Sequence, residues 1–245
     1  MKRWRALLRL LQPFLAEDGE EFHTAARDLA RDLGGARDPQ SAIEALGDLT
    51  EHDLPLSERS IKTVRRRIED IRTTGEMTAL TSDMRRRIAD ALANAEAAVD
   101  RWPLHVLSFA DIAKQLAANY RAVRRAVPKV WAGASPEELH ELRKLVVAHR
   151  YQMQIVEPLW QRFTRVWIAE AQRLRERLGQ HQDLEVLRRL TDPGQPLAHW
   201  RARLTPPIDA RKRRHVAAAK RLATRLFVDK PGAFRRRLNV MWETG

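Results

Sequence analysis

RALLRLLQPFLAEDGEEFHTAARDLARDLGGARD, running from Arg5 to Asp38, aligns without a gap on RYQMQIVEPLWQRFTRVWIAEAQRLRERLGQHQD, running from Arg150 to Asp183. At this offset of 145 residues, seven of 34 positions are identical: Arg5/Arg150, Pro13/Pro158, Ala26/Ala171, Leu29/Leu174, Leu33/Leu178, Gly34/Gly179 and Asp38/Asp183. The set includes the Gly, Pro and Asp that punctuate helices, so the match concerns architecture as well as composition. A duplicated helical unit predicts a pseudo-two-fold body with a ligand between its halves. We expect one all-α domain over residues 1–245, with repeat one at about 1–132 and repeat two at about 135–245.

Helical periodicity extends through the rest of the chain, and no run of β-branched residues alternates as a strand would. The expected helices are 2–16, 20–33, 39–47, 57–73, 82–100, 104–126, 136–160, 163–178, 183–190, 207–228 and 231–243. Ser135-Pro136-Glu137-Glu138 reads as a capping box with Pro at the first helical position. Gly34 and Gly179 each read as the left-handed residue that ends a helix. Asp38 and Asp183 read as caps of the helices that follow. Thr191 to Pro196 and Thr205-Pro206-Pro207 are expected loops.

Composition narrows the chemistry. There is no cysteine, hence no disulfide framework and no thiolate metal site. Charged residues interrupt every apolar run well short of the ~18 residues of a membrane span, and the basic N-terminus is broken by Arg9 before a secretory signal could form. A cytoplasmic location is the resulting expectation. The net charge is +13 and the pI about 10.9, and only eight of the 45 basic residues are Lys. Such a surplus points to a polyanion, and the planar fork of Arg grips phosphate oxygens two at a time. A GC-rich coding sequence would also raise Arg and Ala together, but it leaves the net charge unexplained.

On a helix starting at Pro136, His140, Arg143, Lys144, Val147, Arg150, Tyr151 and Gln154 share one face. Leu139, Leu142, Leu145, Val146 and Met153 share the other and should face the core. Donors about one turn apart, ~5–6 Å, suit a repeating phosphate chain better than a single small ligand. His149 falls on the core side and reads as structural. His23, His52, His105, His181, His199 and His215 show no metal-ligand spacing. The triplets Arg65–Arg67, Arg85–Arg87 and Arg235–Arg237 read as solvated faces, since three successive helical residues cannot all face one ligand. Arg211-Lys212-Arg213-Arg214, with Lys220, Arg221 and Arg225, is ambiguous. The tryptophans, Trp160 and Trp167 among them, read mostly as core. No Gly-rich phosphate loop, His-Glu-x-x-His or convincing nucleophile is present, so no catalytic activity is expected.

Leu139-His140-Glu141-Leu142-Arg143-Lys144 with Arg150-Tyr151 resembles the hallmark of the conserved histidine α-helical domain (CHAD) family. So do Lys2-Arg3-Trp4-Arg5-Ala6, the two Leu-Gly…Asp patterns, Tyr120-Arg121-Ala122-Val123-Arg124-Arg125 and the ending Leu226-Phe227…Trp242. The resemblance covers essentially the whole chain, although Val147 and Ala148 stand where basic residues belong. It implies two helical bundles around a basic central cavity that binds inorganic polyphosphate without catalysis or cofactor. The expected binding residues are Lys2, Arg3, Arg5, His140, Arg143, Lys144, Arg150 and Tyr151, together with Tyr120, Arg121, Arg124 and Arg125, which rest on the resemblance alone, and Lys220 and Arg221 of the ambiguous late helix. Nucleic-acid backbone is the alternative ligand. The resemblance also implies a working link to a triphosphate-processing enzyme and an association with polyphosphate granules. Because the offset pairs Met1 with Val146, positions 140–145 have no counterpart in the first copy. We therefore expect the coding sequence upstream of Met1 to supply the missing His and Arg.

Overall fold

Pro13 and Pro158, 145 residues apart, each break the helix that precedes them. Proline has no N–H to donate to the preceding turn, so neither helix expected to run through it does so. In the computed structural model, which describes residues 2–32, 38–52, 54–79 and 81–244, the first helix stops at Leu11 and a 3₁₀ turn occupies Gln12–Phe14. The helix that starts at Pro136 likewise stops at Ile155, and a second 3₁₀ turn occupies Glu157–Leu159.

The described residues form ten α-helices and no strand. They are α1 (Lys2–Leu11), α2 (Ala16–Asp32), α3 (Asp38–Thr50), α4 (Glu58–Ala79), α5 (Ser82–Val99), α6 (Phe109–Ala126), α7 (Pro136–Ile155), α8 (Gln161–Arg189), α9 (Arg201–Leu226) and α10 (Pro231–Thr244). Shifting by 145 residues carries α1 onto the end of α7, the first 3₁₀ turn onto the second, and the start of α2 onto the start of α8. The same shift overlays α4 largely on α9 and α5 largely on α10. The sequence match ends at Asp38, but the matching order of helices continues beyond it.

Four expectations are corrected. The helix expected from 104 begins at Phe109, because Ser108 and Asp111 close a capping box there and a separate 3₁₀ turn holds Leu104–Val106. The two helices expected over 163–178 and 183–190 are one, α8, which passes through Gly179 and Asp183 without a break. Gly179 is therefore neither a stop nor left-handed; the positive φ lies at Gly194, in the expected 191–196 loop. Buried Leu178, Leu184 and Leu187 hold α8 helical across this point. The equivalent reading of Leu33 and Gly34 lies outside the described residues. Thr205-Pro206-Pro207 is helical too, inside α9. Leu204 and Ile208, both fully buried, anchor the turn on either side of the two prolines. Finally, Trp167 is core but Trp160 is half exposed. It sits before the first turn of α8 with one face stacked on Phe163 and the other in solvent.

Buried apolar residues gather in three clusters. The largest joins α6, α7, α8, the later part of α9 and α10. A second joins α3, α4, the end of α8 and the start of α9. The third joins α1 and α2 with Ala98 and Trp102. Residues of α8 belong to two of these clusters. α1 sits between the others, with Leu10 in the largest cluster and Leu8 and Leu11 in the third. In the third, Trp4 and Trp102 stack at 5.7 Å, with Phe22 edge-on to both. α1 also packs directly along α7, onto whose end the 145-residue shift carries it.

Candidate anion-binding face

The capping box expected before α7 is formed: Ser135 Oγ accepts from the Glu138 amide at 3.1 Å, and the Glu138 carboxylate accepts from the Ser135 amide at 2.8 Å. It fixes the rotation of α7, so Leu139, Leu142, Val146, His149 and Met153 are buried. The expected stripe is thereby left outside the core. His140, Arg143, Arg150 and Tyr151 are half-buried and Lys144 is exposed. Lys144 pairs with Glu141.

α1 forms the opposite wall. It is fixed to α7 by the buried Gln152 side chain, whose Nε2 donates to the Ala6 carbonyl at 3.1 Å. The guanidinium of Arg3 lies 5.9 Å from the Tyr151 ring centre and that of Arg150 lies 4.7 Å from it. Two cations thus share one ring, an arrangement that an anion between them would relieve. The end of the stripe opens into a cleft of about 540 Å³ between the two helices, lined by Arg3, Trp4, Tyr151, Gln154 and Glu157 among others.

Arg5 Nε, Arg150 Nε and His140 Nδ1 are buried polar atoms without a hydrogen-bond partner among the described residues. Buried nitrogens in folded proteins are nearly always satisfied; such orphans also occur at Trp102, His149 and His181, so what distinguishes these three is that they share one cationic interface. The Arg143 guanidinium packs against the α8 backbone at Gly179, where a β-carbon would meet its Nη2 at 3.4 Å, an ordinary contact distance.

Two residues join this face that the sequence reading did not assign to it. Arg9 is one turn beyond Arg5 on α1, where burial and Arg5 lower its pKa while Glu141 of α7 opposes them. His23 of α2 is held below its ordinary value, first by burial and then by Arg5, Arg9 and Arg27. Only the packing of α1 between α2 and α7 brings them to this face. His140 is lowered likewise, first by burial and then by Lys144 and Arg143.

Other expected binding residues lie elsewhere. Tyr120 is fully buried, stacked on Phe234 at 4.3 Å, and its hydroxyl donates to the Asp229 carbonyl at 3.2 Å. Burial and Asp229 push it up to about 12, and it offers nothing to an anion. Arg124 lies near that hydroxyl, in the company of Asp229 and Arg237. Arg125 lines a groove with Glu137, Glu138 and Glu141. Arg121 is exposed on α6. Lys220 and Arg221 are exposed on α9, which packs on α8 rather than along α1 or α7. Lys2 and Arg3 are exposed at the start of the α1 wall.

The ambiguous run on α9 divides. Arg211 and Lys212 are largely buried ion pairs with Asp48 of α3 and Glu185 of α8, whereas Arg213 and Arg214 are exposed. Of the expected solvated triplets, Arg86 pairs with Asp83, Arg87 with Asp32 and Arg237 with Asp229. His149 is buried and accepts from Trp167 Nε1 at 3.0 Å; its burial drives it down to about 3. Among the described residues, no group of His, Asp and Glu is arranged to hold a metal ion, and no helix is long and apolar enough to cross a membrane.

A family model described as the CHAD domain matches residues 1–192. No curated protein and no solved structure matches the chain.

Proposed function

Because the chain belongs to the CHAD domain family, we propose that it is a non-catalytic module that binds inorganic polyphosphate along the face shared by α1, α2 and α7. The observation that carries this reading is the trio of unsatisfied nitrogens on Arg5, Arg150 and His140, set among cations on two facing helices. Phosphate oxygens would satisfy all three, and charge-assisted bonds of this kind are the stronger class. Successive turns of α7 repeat the donors, so an extended chain engages more of them than a compact phosphate does. The pairing of α1 with the end of α7 at one offset supports an origin by internal duplication, with the ligand held between the two copies.

In this reading the protein works in the cytoplasm on polyphosphate granules and is functionally linked to a triphosphate-processing enzyme. The test is a competition at physiological salt between long-chain polyphosphate and duplex DNA for the labelled protein. Polyphosphate should displace DNA at far lower phosphate concentration. Displacement at equal phosphate concentration would mean diffuse electrostatic attraction to any polyanion.

A further inference from the structure

Two half-buried histidines border the α1 wall. His23 of α2 lies beside Arg5 and Arg9, and Arg9 is opposite Glu141, the residue next to His140 of α7. The charged groups that act on His23 are Arg5 and Arg9 of α1, and Arg27 and Glu20 of α2. Those that act on His140 are Lys144, Arg143 and Glu141 of α7. From α6, Arg125 shares a groove with Glu141, and from α8 the neighbouring seat is the uncharged Gly179. Cations outnumber carboxylates around both imidazoles. His140 also holds its Nδ1 buried with no partner.

We infer that polyphosphate binding is proton-linked: His23 and His140 are neutral in the empty face, and each takes up a proton as the chain binds. The inference rests on the proposed ligand, yet it is not required by it, since arginines alone could hold the chain. In the empty face an imidazolium would face other cations across a partly desolvated surface, and both effects favour the neutral ring. A bound phosphate chain reverses the sign of the local field. It also offers acceptors to Nδ1 and Nε2, so the protonated ring with two N–H donors becomes the favoured form. The folded, empty protein has both histidines below their ordinary value; the bound form has them above it. Affinity therefore rises as pH falls through the bound value, and levels off below the empty value. Within that window the slope of log affinity against pH equals the number of protons taken up.

Calorimetric titration with long-chain polyphosphate at neutral pH, repeated in buffers of different ionisation heat, reads that number directly. Internal phosphates of a long chain do not titrate near neutrality, so the protons counted belong to the protein. We expect uptake of between one and two protons per site, with binding tightening about tenfold or more per pH unit just below neutrality. The variant H23Q/H140Q should bind more weakly, through the remaining arginines, with uptake near zero. Binding whose heat is the same in every buffer would overturn the linkage and leave the ligand assignment standing. Uptake undiminished in H23Q/H140Q would also overturn it, because the protons would then go elsewhere. Absence of polyphosphate binding would overturn the ligand assignment and the linkage together.

Discussion

Two clusters of the same residue types stand at opposite sides of α8's contacts and have opposite fates. Where α3, α8 and α9 meet, Arg211, Lys212 and His215 each have an acid, although neighbouring His181 keeps an unpartnered Nδ1. Asp48 accepts from Arg211 through both oxygens and from the His215 ring at 3.0 Å, and Glu185 accepts from Lys212. Hydrogen bonds from His215 and Arg211 hold the Asp48 carboxyl well below its usual range despite the upward push of burial. Along α1, α2 and α7 there are Arg and His again, but Arg5, Arg150 and His140 keep unsatisfied nitrogens. A cation's fold role or ligand role is decided by whether an acid is built beside it. The first cluster closes the structure; on the proposed function, the second is completed by the bound phosphate chain.

The largest effect should come from breaking the second cluster. R143A/R150A removes two charge-assisted contacts worth roughly 1.5–3 kcal/mol each, so polyphosphate affinity should fall by at least a hundredfold with the thermal midpoint almost unchanged. R85A/R87A, which lies on α5 and includes the Arg87–Asp32 pair, should change affinity by no more than a few-fold. Equal losses would erase the distinction between the clusters. Breaking the first cluster should do the reverse. D48A strands a buried guanidinium and a buried imidazole, and removing one partner of a buried pair costs about 3–5 kcal/mol. Denaturant unfolding should register that loss, while polyphosphate affinity of the folded fraction stays near the parent value.

Acid sharpens the comparison through the neutral buried histidines. His149 is driven down to about 3 by burial, and His181 to about 4 by burial and Lys212. Both lie below the unfolded value of about 6.5, so between those limits the unfolded chain binds protons that the folded chain refuses. Stability is therefore complete above about pH 6.5 and falls as pH drops, by up to roughly 2 kcal/mol per histidine between pH 6.5 and 5. Asp48 and Glu185 extend the loss at lower pH, since depressed carboxyls stabilise above their unfolded value and fail as they protonate. Chemical unfolding at several pH values follows this directly. Polyphosphate affinity should move the other way over the same interval.

The smallest effect is at Gly179. Alanine there meets Arg143 at ordinary contact distance, so G179A should gain up to about 1 kcal/mol of stability from helix propensity and keep its affinity within a few-fold. A longer side chain, as in G179M, should lift Arg143 from its seat and weaken binding measurably. If G179M binds as the parent does, Arg143 does not hold phosphate from that seat.

The residue pattern made the helices, the capping box before α7 and the outward face of that helix legible, because each follows from neighbours within a few residues. Gly179 was misread for the opposite reason. Glycine after leucine reads locally as a helix stop, and only the burial of Leu178, Leu184 and Leu187 against other helices carries α8 through it. Tyr120 was misassigned because its motif gives its company and not its direction; the hydroxyl is claimed by Asp229, more than a hundred positions away. Pro206 and Pro207 read as a loop until Leu204 and Ile208 are seen buried on either side of them. His23 and Arg9 carry no signal of their own. They belong to the face because α1 lies between α2 and α7, and that is a fact of tertiary packing.

The central claim is that an extended row of donors on two facing helices binds a phosphate chain, and chain length tests it most directly. Calorimetric titration with long-chain polyphosphate and with tripolyphosphate, at matched salt, should show the long chain binding far more tightly. Its affinity should also fall more steeply as salt rises, because more counterions are released. Equal affinities for the two, with equal salt dependence, would contradict the account.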